Sequence, residues 1–397
     1  MTSVKWRYQT TVLVIAVVAN FTQQGTRLLL SPLVPDIIAA FGSSKSAVGL
    51  ALTGMWAAYA IFQYPSGFLG DTYGERGVIV VSLALTGAGS LLLAVAPTFW
   101  LFGVFAVLLG AGTGLYFTAA SSLLTRLFDN TGQALSIHTA GISLSGLVAP
   151  VAAGFVGLRY GWRWAVVLGA VVAFPIALVA LTRIRPNTGD GQPRAFRDHV
   201  DLPAMVALVL QSRVAFMTVL AAAAVFVMQS FMSFFPTFLI EYHGLTTSVA
   251  SVAFGGIFVL SSVSQPVMGR LSDRVSRTAV ISLSLGLTAL GFGLVLARGS
   301  LAVLVASLVV IGLGISWAGV FHAWFMDILR DAERGASFGF IRTVYMFLGA
   351  SGSVVTGTLA DASGWQAAYG VVILLLIASV AALIGWRGLG PARTASD

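Results

Sequence analysis

Apolar residues along this chain fall in blocks of about 18 to 28, the length a helix needs to cross roughly 30 Å of hydrocarbon. Twelve such blocks predict spans at 10–38, 46–70, 78–96, 98–125, 134–158, 163–183, 214–240, 246–269, 278–297, 300–326, 336–360 and 366–386. One long polar stretch, Arg183 to Arg213, interrupts them and holds Pro186, Asn187, Gly189, Asp190, Gly191 and Pro193, residues that break a helix. Its later part, Asp201 to Gln211, is apolar enough to lie on the membrane surface as a short helix. The pattern predicts an all-α membrane protein of twelve transmembrane helices. A six-helix bundle over 1–183, a linker over 184–213 and a second six-helix bundle over 214–397 compose it.

The two halves are copies. Gly67-Phe68-Leu69-Gly70-Asp71 follows the second span, and Gly269-Arg270-Leu271-Ser272-Asp273 follows the eighth, 202 positions later. Gly161-Trp162 opens the sixth span and Gly364-Trp365 the twelfth, 203 positions later; Gly110 and Gly312 repeat at 202. One match could be chance, but three at nearly one offset mark a duplication and hence two pseudo-symmetric bundles.

Composition fixes the class. The chain is 57% hydrophobic and 9% charged with a mean hydropathy of +0.93, whereas a soluble domain carries about a quarter charged residues. The partner of most of its surface is therefore the lipid bilayer. Zero cysteines exclude disulfides, thiolate metal sites and cysteine nucleophiles. The net charge of +8 does not point to nucleic acid, because the basic residues sit mainly in short loops. Placing the N-terminus inside puts sixteen Lys and Arg in cytoplasmic segments against Lys45, Arg159, Arg163 and Arg298 outside. That excess predicts a multi-pass membrane protein with both termini cytoplasmic. The first apolar run carries polar residues and reads as a span, with no cleavable signal pattern.

Gly67, Leu69, Asp71, Gly74 and Arg76 match the loop pattern G-x-L-a-D-r-x-G-r-k, and Gly269, Leu271, Asp273, Arg274 and Arg277 match its second copy. With twelve spans, the chain resembles the major facilitator superfamily over essentially its whole length. The resemblance implies secondary transport by alternating access with a midplane site between the halves, no enzymatic activity, no cofactor or metal, and a monomer. It also implies that Asp71 gates the cytoplasmic side by pairing with basic residues of the other half. Arg330 and Arg334 are the candidate partners, and Arg126 is the mirror candidate for Asp273. A well-capped turn is the plainer reading of the same aspartate. Thr72 and Glu75 depart from the motif's usual basic positions. Ala106 stands where many proton-linked members carry an arginine, and Ser145–Gly154 keeps only Pro150 and Gly154 of the antiporter signature. A drug-exporter reading loses weight accordingly.

None of the fourteen acids lies mid-span, yet Arg27 and Arg342 do. A membrane-embedded arginine costs roughly 2.5–3.5 kcal/mol on insertion scales and usually faces a pathway. With no carboxylate beside it in sequence, the natural counter-ion is an anionic substrate. Asn20, Gln23, Arg27 and Ser31 share one helical face, and Pro32 and Pro35 then predict a bend. In the seventh span Gln229, Ser233 and Thr237 repeat the stripe and Pro236 the bend. Arg27 lies eight residues before Pro35, a spacing similar to that of the organic-anion members, the glycerol phosphate and sugar-acid carriers. There a first-span arginine holds the substrate's phosphate or carboxylate. The competing reading has Arg27 snorkelling to the outer interface. Arg342 either faces the cavity with Tyr345 and Gly349, or snorkels or pairs with Asp327 or Asp331. A guanidinium suits carboxylate, nitrate or phosphate by its planar fork.

His322 and His138 are the spanning groups that titrate near neutrality. Each is either a satisfied structural histidine or the carrier of a co-transported proton. Trp317, Trp324 and Phe325 around His322 fit an apolar pocket with few polar anchors. The leading expectation is a transporter of a small anion: carboxylate, sugar acid, nitrate or phosphate ester. A proton-coupled exporter of drugs or amphiphiles is the alternative, with the 26 phenylalanines lining its cavity. A membrane enzyme or sensor is disfavoured, since no P-loop, H-E-x-x-H or nucleophile motif is present.

Overall fold

The computed structural model describes residues 2–186, 202–329 and 334–389, and the secondary structure among them is helical throughout. Eleven helical stretches are long and apolar enough to cross a membrane: Arg7–Phe41, Lys45–Tyr73, Glu75–Val95, Phe99–Leu127, Thr131–Tyr160, Trp162–Arg183, Ser212–His243, Thr247–Arg274, Arg277–Leu296, Leu301–Ile328 and Ser337–Trp386. The last reverses at Gly364, whose φ of 80° only glycine adopts without strain, and so makes two crossings. Gly161, its duplicate between the fifth and sixth spans, turns the same way at φ 90°. Twelve spans result, with the described ends of the chain on one face, here the terminal face, and Gly161 and Gly364 on the opposite, distal face.

Several spans begin with side-chain caps, which satisfy the first free N–H groups of a helix. Ser44, Thr98, Asn130, Thr246 and Ser276 accept from the backbone three residues on. A short apolar helix, Leu202–Leu210, precedes the seventh span.

Within the first half, the second span packs on the fourth, the third on the sixth, and the first on the fifth. In the second half the ninth packs on the tenth, and the seventh on the eleventh and twelfth. The halves meet along the second span against the eleventh and the fifth against the eighth. The duplication exchanges these two contacts, so the interface is itself pseudo-symmetric. Close approach needs missing side chains: a Cβ on Gly357 would lie 2.3 Å from the carbonyl oxygen of Lys45 across the interface.

Four spans are broken among the described residues. The first passes from helix to a short 3-10 turn at Ser31–Leu33 before resuming at Val34–Phe41, where Pro32 and Pro35 remove backbone donors. The fourth, tenth and eleventh break after Gly114, Gly314 and Ala350. At Pro236, where a bend was expected, Ser212–His243 continues as one helix without a break. The proline cannot donate to the carbonyl of Met232, four residues back, but Ser31 of the first half donates its hydroxyl there instead. The freed carbonyl is thus satisfied from across the interface.

Candidate substrate site between the halves

Arg27 leaves the first span just before its break and is 4% exposed. Its Nη2 donates to Gln24 Oε1 at 2.5 Å and its Nε to the carbonyl oxygen of Gln23 at 3.3 Å. Its guanidinium lies 3.7 Å from the ring centre of Tyr59 and 4.7 Å from that of Trp56, both on the second span. Cation–π attraction strengthens when the cation is desolvated, so these rings hold the group in place. Nη1 remains buried without a hydrogen-bond partner, as does the indole Nε1 of Trp56. Arg27 therefore does not snorkel: the charge is sealed among aromatic faces with one donor edge unused.

The second half supplies the facing wall. Arg342 is half-buried, with its guanidinium 5.1 Å from the ring centre of Phe117 in the fourth span. It lies within electrostatic range of Arg27, His322 and Tyr345. Asp327, considered as its partner, is instead bonded to Arg277 at 3.2 Å, and Asp331 lies outside the described residues. Tyr345 stacks on Phe325 at 6.0 Å. Gln229 is buried with its Oε1 unpartnered. Ser233 is bonded to Ser353 at 2.6 Å. Trp317 sits at the break in the tenth span, edge-on to Phe321.

The polar stripe of the first span divides. Asn20 donates to the carbonyl of His138 at 3.0 Å. Gln23 donates to Ser82 at 2.8 Å and accepts from Thr86 at 2.5 Å. Both were expected on the cavity, but their hydrogen bonds tie the first span to the fifth and third. Gln24, Trp56 and Tyr59 were not singled out, although Trp56, Tyr59 and Gln63 stand at helical spacing on one face of the second span.

The histidines differ. His138 is 0% exposed and packed between Phe117 and Tyr116. Tyr116 spends its proton on the carbonyl of Ala16, so its oxygen accepts from His138 Nε2 at 3.1 Å. His322 is accessible, 4.4 Å edge-on to Phe338.

Ion pairs among the described residues lie at the two faces, away from this centre. On the distal face Lys45 pairs with Glu241 at 3.1 Å and Asp361 at 3.8 Å, from the first half to the second. Asp361 also accepts from the backbone N–H of Lys45 and Ser46 at the start of the second span, where the helix dipole favours an anion. On the terminal face, Arg126 pairs with Glu75 at 2.9 Å and not with Asp273; Asp273 bonds Arg277. Each stays within its own half because the paired residues end adjacent spans. Arg76 donates to the carbonyl of Leu181 at 2.5 Å, and Asp71 and Arg274 are exposed. Arg330 lies outside the described residues, as does the side chain of Arg334.

The family model of the Major Facilitator Superfamily matches residues 13–263 and again 218–396. The chain belongs to the major facilitator superfamily. It is a multi-pass membrane transporter and not an enzyme. It is 22% identical to the hexuronate transporter of Bacillus subtilis, over 89% of this chain and 87% of that one. A shorter likeness, 28% over 38% of this chain and 29% of the relative, links it to a multidrug resistance protein B homolog of Mycobacterium tuberculosis. Among solved structures, a bacterial homolog of the human lysosomal transporter Spinster, in an inward-facing and unoccupied conformation, superposes with a TM-score of 0.80. That match has 16% identity and covers 97% of this chain and 99% of the other. The superfamily member's fold thus carries an aromatic-walled arginine at the junction of its halves.

Proposed function

We propose that this protein is a secondary active transporter of a small organic anion, carried by alternating access across the cytoplasmic membrane. One observation carries the reading: Arg27 is buried with Nη1 unpartnered, and none of the ion pairs among the described residues involves it or Arg342. The buried guanidinium of Arg27 lies in the field of Arg342, and a bound carboxylate or phosphate ester offsets both charges while filling the empty donor edge. The similarity to a hexuronate transporter favours a sugar acid over nitrate.

Arg27 and Arg342 belong to different halves, so an anion between them bridges the parts that must rock against each other. The lock at Lys45 keeps the distal face shut, and its release would admit solute from that side. The excess of Lys and Arg on the terminal face supports a cytoplasmic side there, with Asp71 as its gate. A proton carried with the anion would be taken by His322, which is accessible where His138 is sealed.

The partial likeness to a multidrug resistance relative and the aromatic walls favour a second reading, export of amphiphiles. Uptake of labelled monocarboxylates, dicarboxylates and sugar acids into proteoliposomes separates the two. Anion uptake lost in Arg27→Ala supports the first reading; export of cationic dyes with Arg27 dispensable supports the second.

A further inference from the structure

The ends of the first, third and sixth spans meet at the outer rim of the first bundle, on the terminal face. Arg76, at the start of the third span, donates to the carbonyl of Leu181 in the last turn of the sixth. Its Nε stays buried without a hydrogen-bond partner. Arg185, just past the sixth span, lays its guanidinium 4.5 Å from the ring centre of Tyr8 in the first. Its backbone N–H donates to the Tyr8 hydroxyl at 3.1 Å, which holds the two together. Arg7 and Arg183, close by in sequence, are exposed. None of these four arginines enters an ion pair among the described residues. The one acid that the three spans carry at this face, Glu75, is already paired with Arg126 at 2.9 Å.

A cation serving the last carbonyls of a helix is the plainer reading of Arg76. It does not account for the other three arginines, nor for the difference between the halves. The positions 202 or 203 later are Val209, Thr278, Trp386 and Gly388, and there Trp386 stacks on Phe216 at 4.3 Å. Aromatic packing stands in one half where uncompensated cations stand in the other.

The rim continues into surface that faces lipid. Val171, Phe174, Leu178 and Leu181 of the sixth span are all exposed, and with Arg185 they follow at spacings of three, four, three and four. They therefore share one helical face. From Val171 to Leu181 the stripe runs about 15 Å, the depth of one leaflet. A ligand that fits both parts has a phosphate at one end and long hydrocarbon chains behind it. Guanidinium groups bind phosphate oxygens two at a time, and Arg76 still has a donor to give.

We propose that this rim binds an anionic phospholipid, with the phosphate at Arg76 and Arg185 and the acyl chains along the sixth span. Arg7 and Arg183 add charge that selects an anionic headgroup over a zwitterionic one. The site lies outside the junction of the halves and does not depend on which solute is carried.

Native mass spectrometry of the purified full-length protein in detergent tests this, with phosphatidylglycerol and phosphatidylcholine of identical chains as probes. Each basic residue near an anionic lipid surface contributes about five-fold. Phosphatidylglycerol should therefore be retained at least about ten-fold more tightly than phosphatidylcholine. Arg7→Gln with Arg183→Gln and Arg185→Gln should bring the two lipids to within about two-fold of each other. Arg76→Gln should weaken phosphatidylglycerol by about five-fold; if it does not fold without the Leu181 bond, the triple variant keeps that bond and carries the test. Arg213→Gln with Arg270→Gln, exposed arginines of the second half on the same face, should leave the preference in place. An equal loss in that pair would overturn the proposal, because the attraction would belong to the whole face. So would equal retention of the two lipids by the unsubstituted protein, or a preference untouched in the folded triple variant. Displacement of phosphatidylglycerol by millimolar inorganic phosphate would overturn it too, marking a site for a free anion.

Discussion

Glu75 and Arg277 occupy the same place in the two halves with opposite charge. Each is the first residue of its span, 202 positions apart. Glu75 pairs with Arg126 at 2.9 Å, and Arg277 pairs with Asp327 at 3.2 Å. Arg126 and Asp327 are each the penultimate residue of the following span. The duplicated bundle therefore keeps one tie, from the start of its third span to the end of its fourth, with the sign reversed. Such a tie binds neighbouring spans so that each half can rock as a body.

The two ties should differ in strength. The Glu75 side chain is 4% exposed, while Asp327 is 53% exposed. Losing a charge-assisted hydrogen bond at a buried carboxylate costs about 1.5–3 kcal/mol, whereas exposed pairs contribute about 0–1 kcal/mol. Arg126→Ala should lower the thermal unfolding midpoint in detergent clearly more than Asp327→Ala. The double exchange Glu75→Arg with Arg126→Glu should recover part of the loss. Equal shifts for the two single variants would contradict this assignment.

The distal lock admits a covalent test. Ser46 and Thr358 lie across the interface with their hydroxyl oxygens 2.9 Å apart, and the chain has no cysteine of its own. Ser46→Cys with Thr358→Cys should cross-link on mild oxidation, stop transport, and regain it on reduction. Lys45→Met should raise the reactivity of a lone Ser46→Cys probe toward a membrane-impermeant maleimide by several-fold. Unchanged transport in the oxidised double variant would show that the distal face need not open.

Hydropathy made the spans legible, because crossing lipid constrains length and polarity locally. The duplicated loop made the pseudo-symmetry legible in the same way. Arg27 was legible because a lone cation in an apolar run is conspicuous. Its surroundings were less so. Asn20 and Gln23 share its face, yet their partners His138, Ser82 and Thr86 lie on other spans, and spacing alone cannot tell a cavity from a helix–helix contact. Trp56 and Tyr59 were hidden for the converse reason, since aromatic residues in a span usually signify packing. The hydroxyl that serves the carbonyl freed by Pro236 comes from Ser31, about 200 positions away, and the Arg126 pairing depends on which span ends adjoin.

The two histidines should respond differently. His138 is sealed in the first bundle by Tyr116 and Phe117, so His138→Gln should lower thermal stability and leave any proton dependence in place. His322 is accessible beside Arg342's field. His322→Gln should abolish uptake driven by a pH gradient while sparing solute exchange, as measured in proteoliposomes with and without the gradient. Retained gradient-driven uptake would remove His322 from the coupling step.

On the proposed reading, Tyr59 and Trp56 act on the anion through the ring faces they present to Arg27. Tyr59→Phe keeps an aromatic face 3.7 Å from the guanidinium and should change anion affinity by less than about three-fold. Tyr59→Ala removes roughly 0.5–2 kcal/mol of cation–π attraction and should weaken it by up to about thirty-fold, read from competition curves.

The central claim is that Arg27 is the substrate's counter-ion, and counterflow in proteoliposomes tests it most directly. Protein loaded with unlabelled D-glucuronate should accumulate the labelled compound from outside. Arg27→Gln, similar in length but uncharged, should abolish that accumulation while folding with a near-normal unfolding midpoint. Accumulation that persists in folded Arg27→Gln would contradict the account.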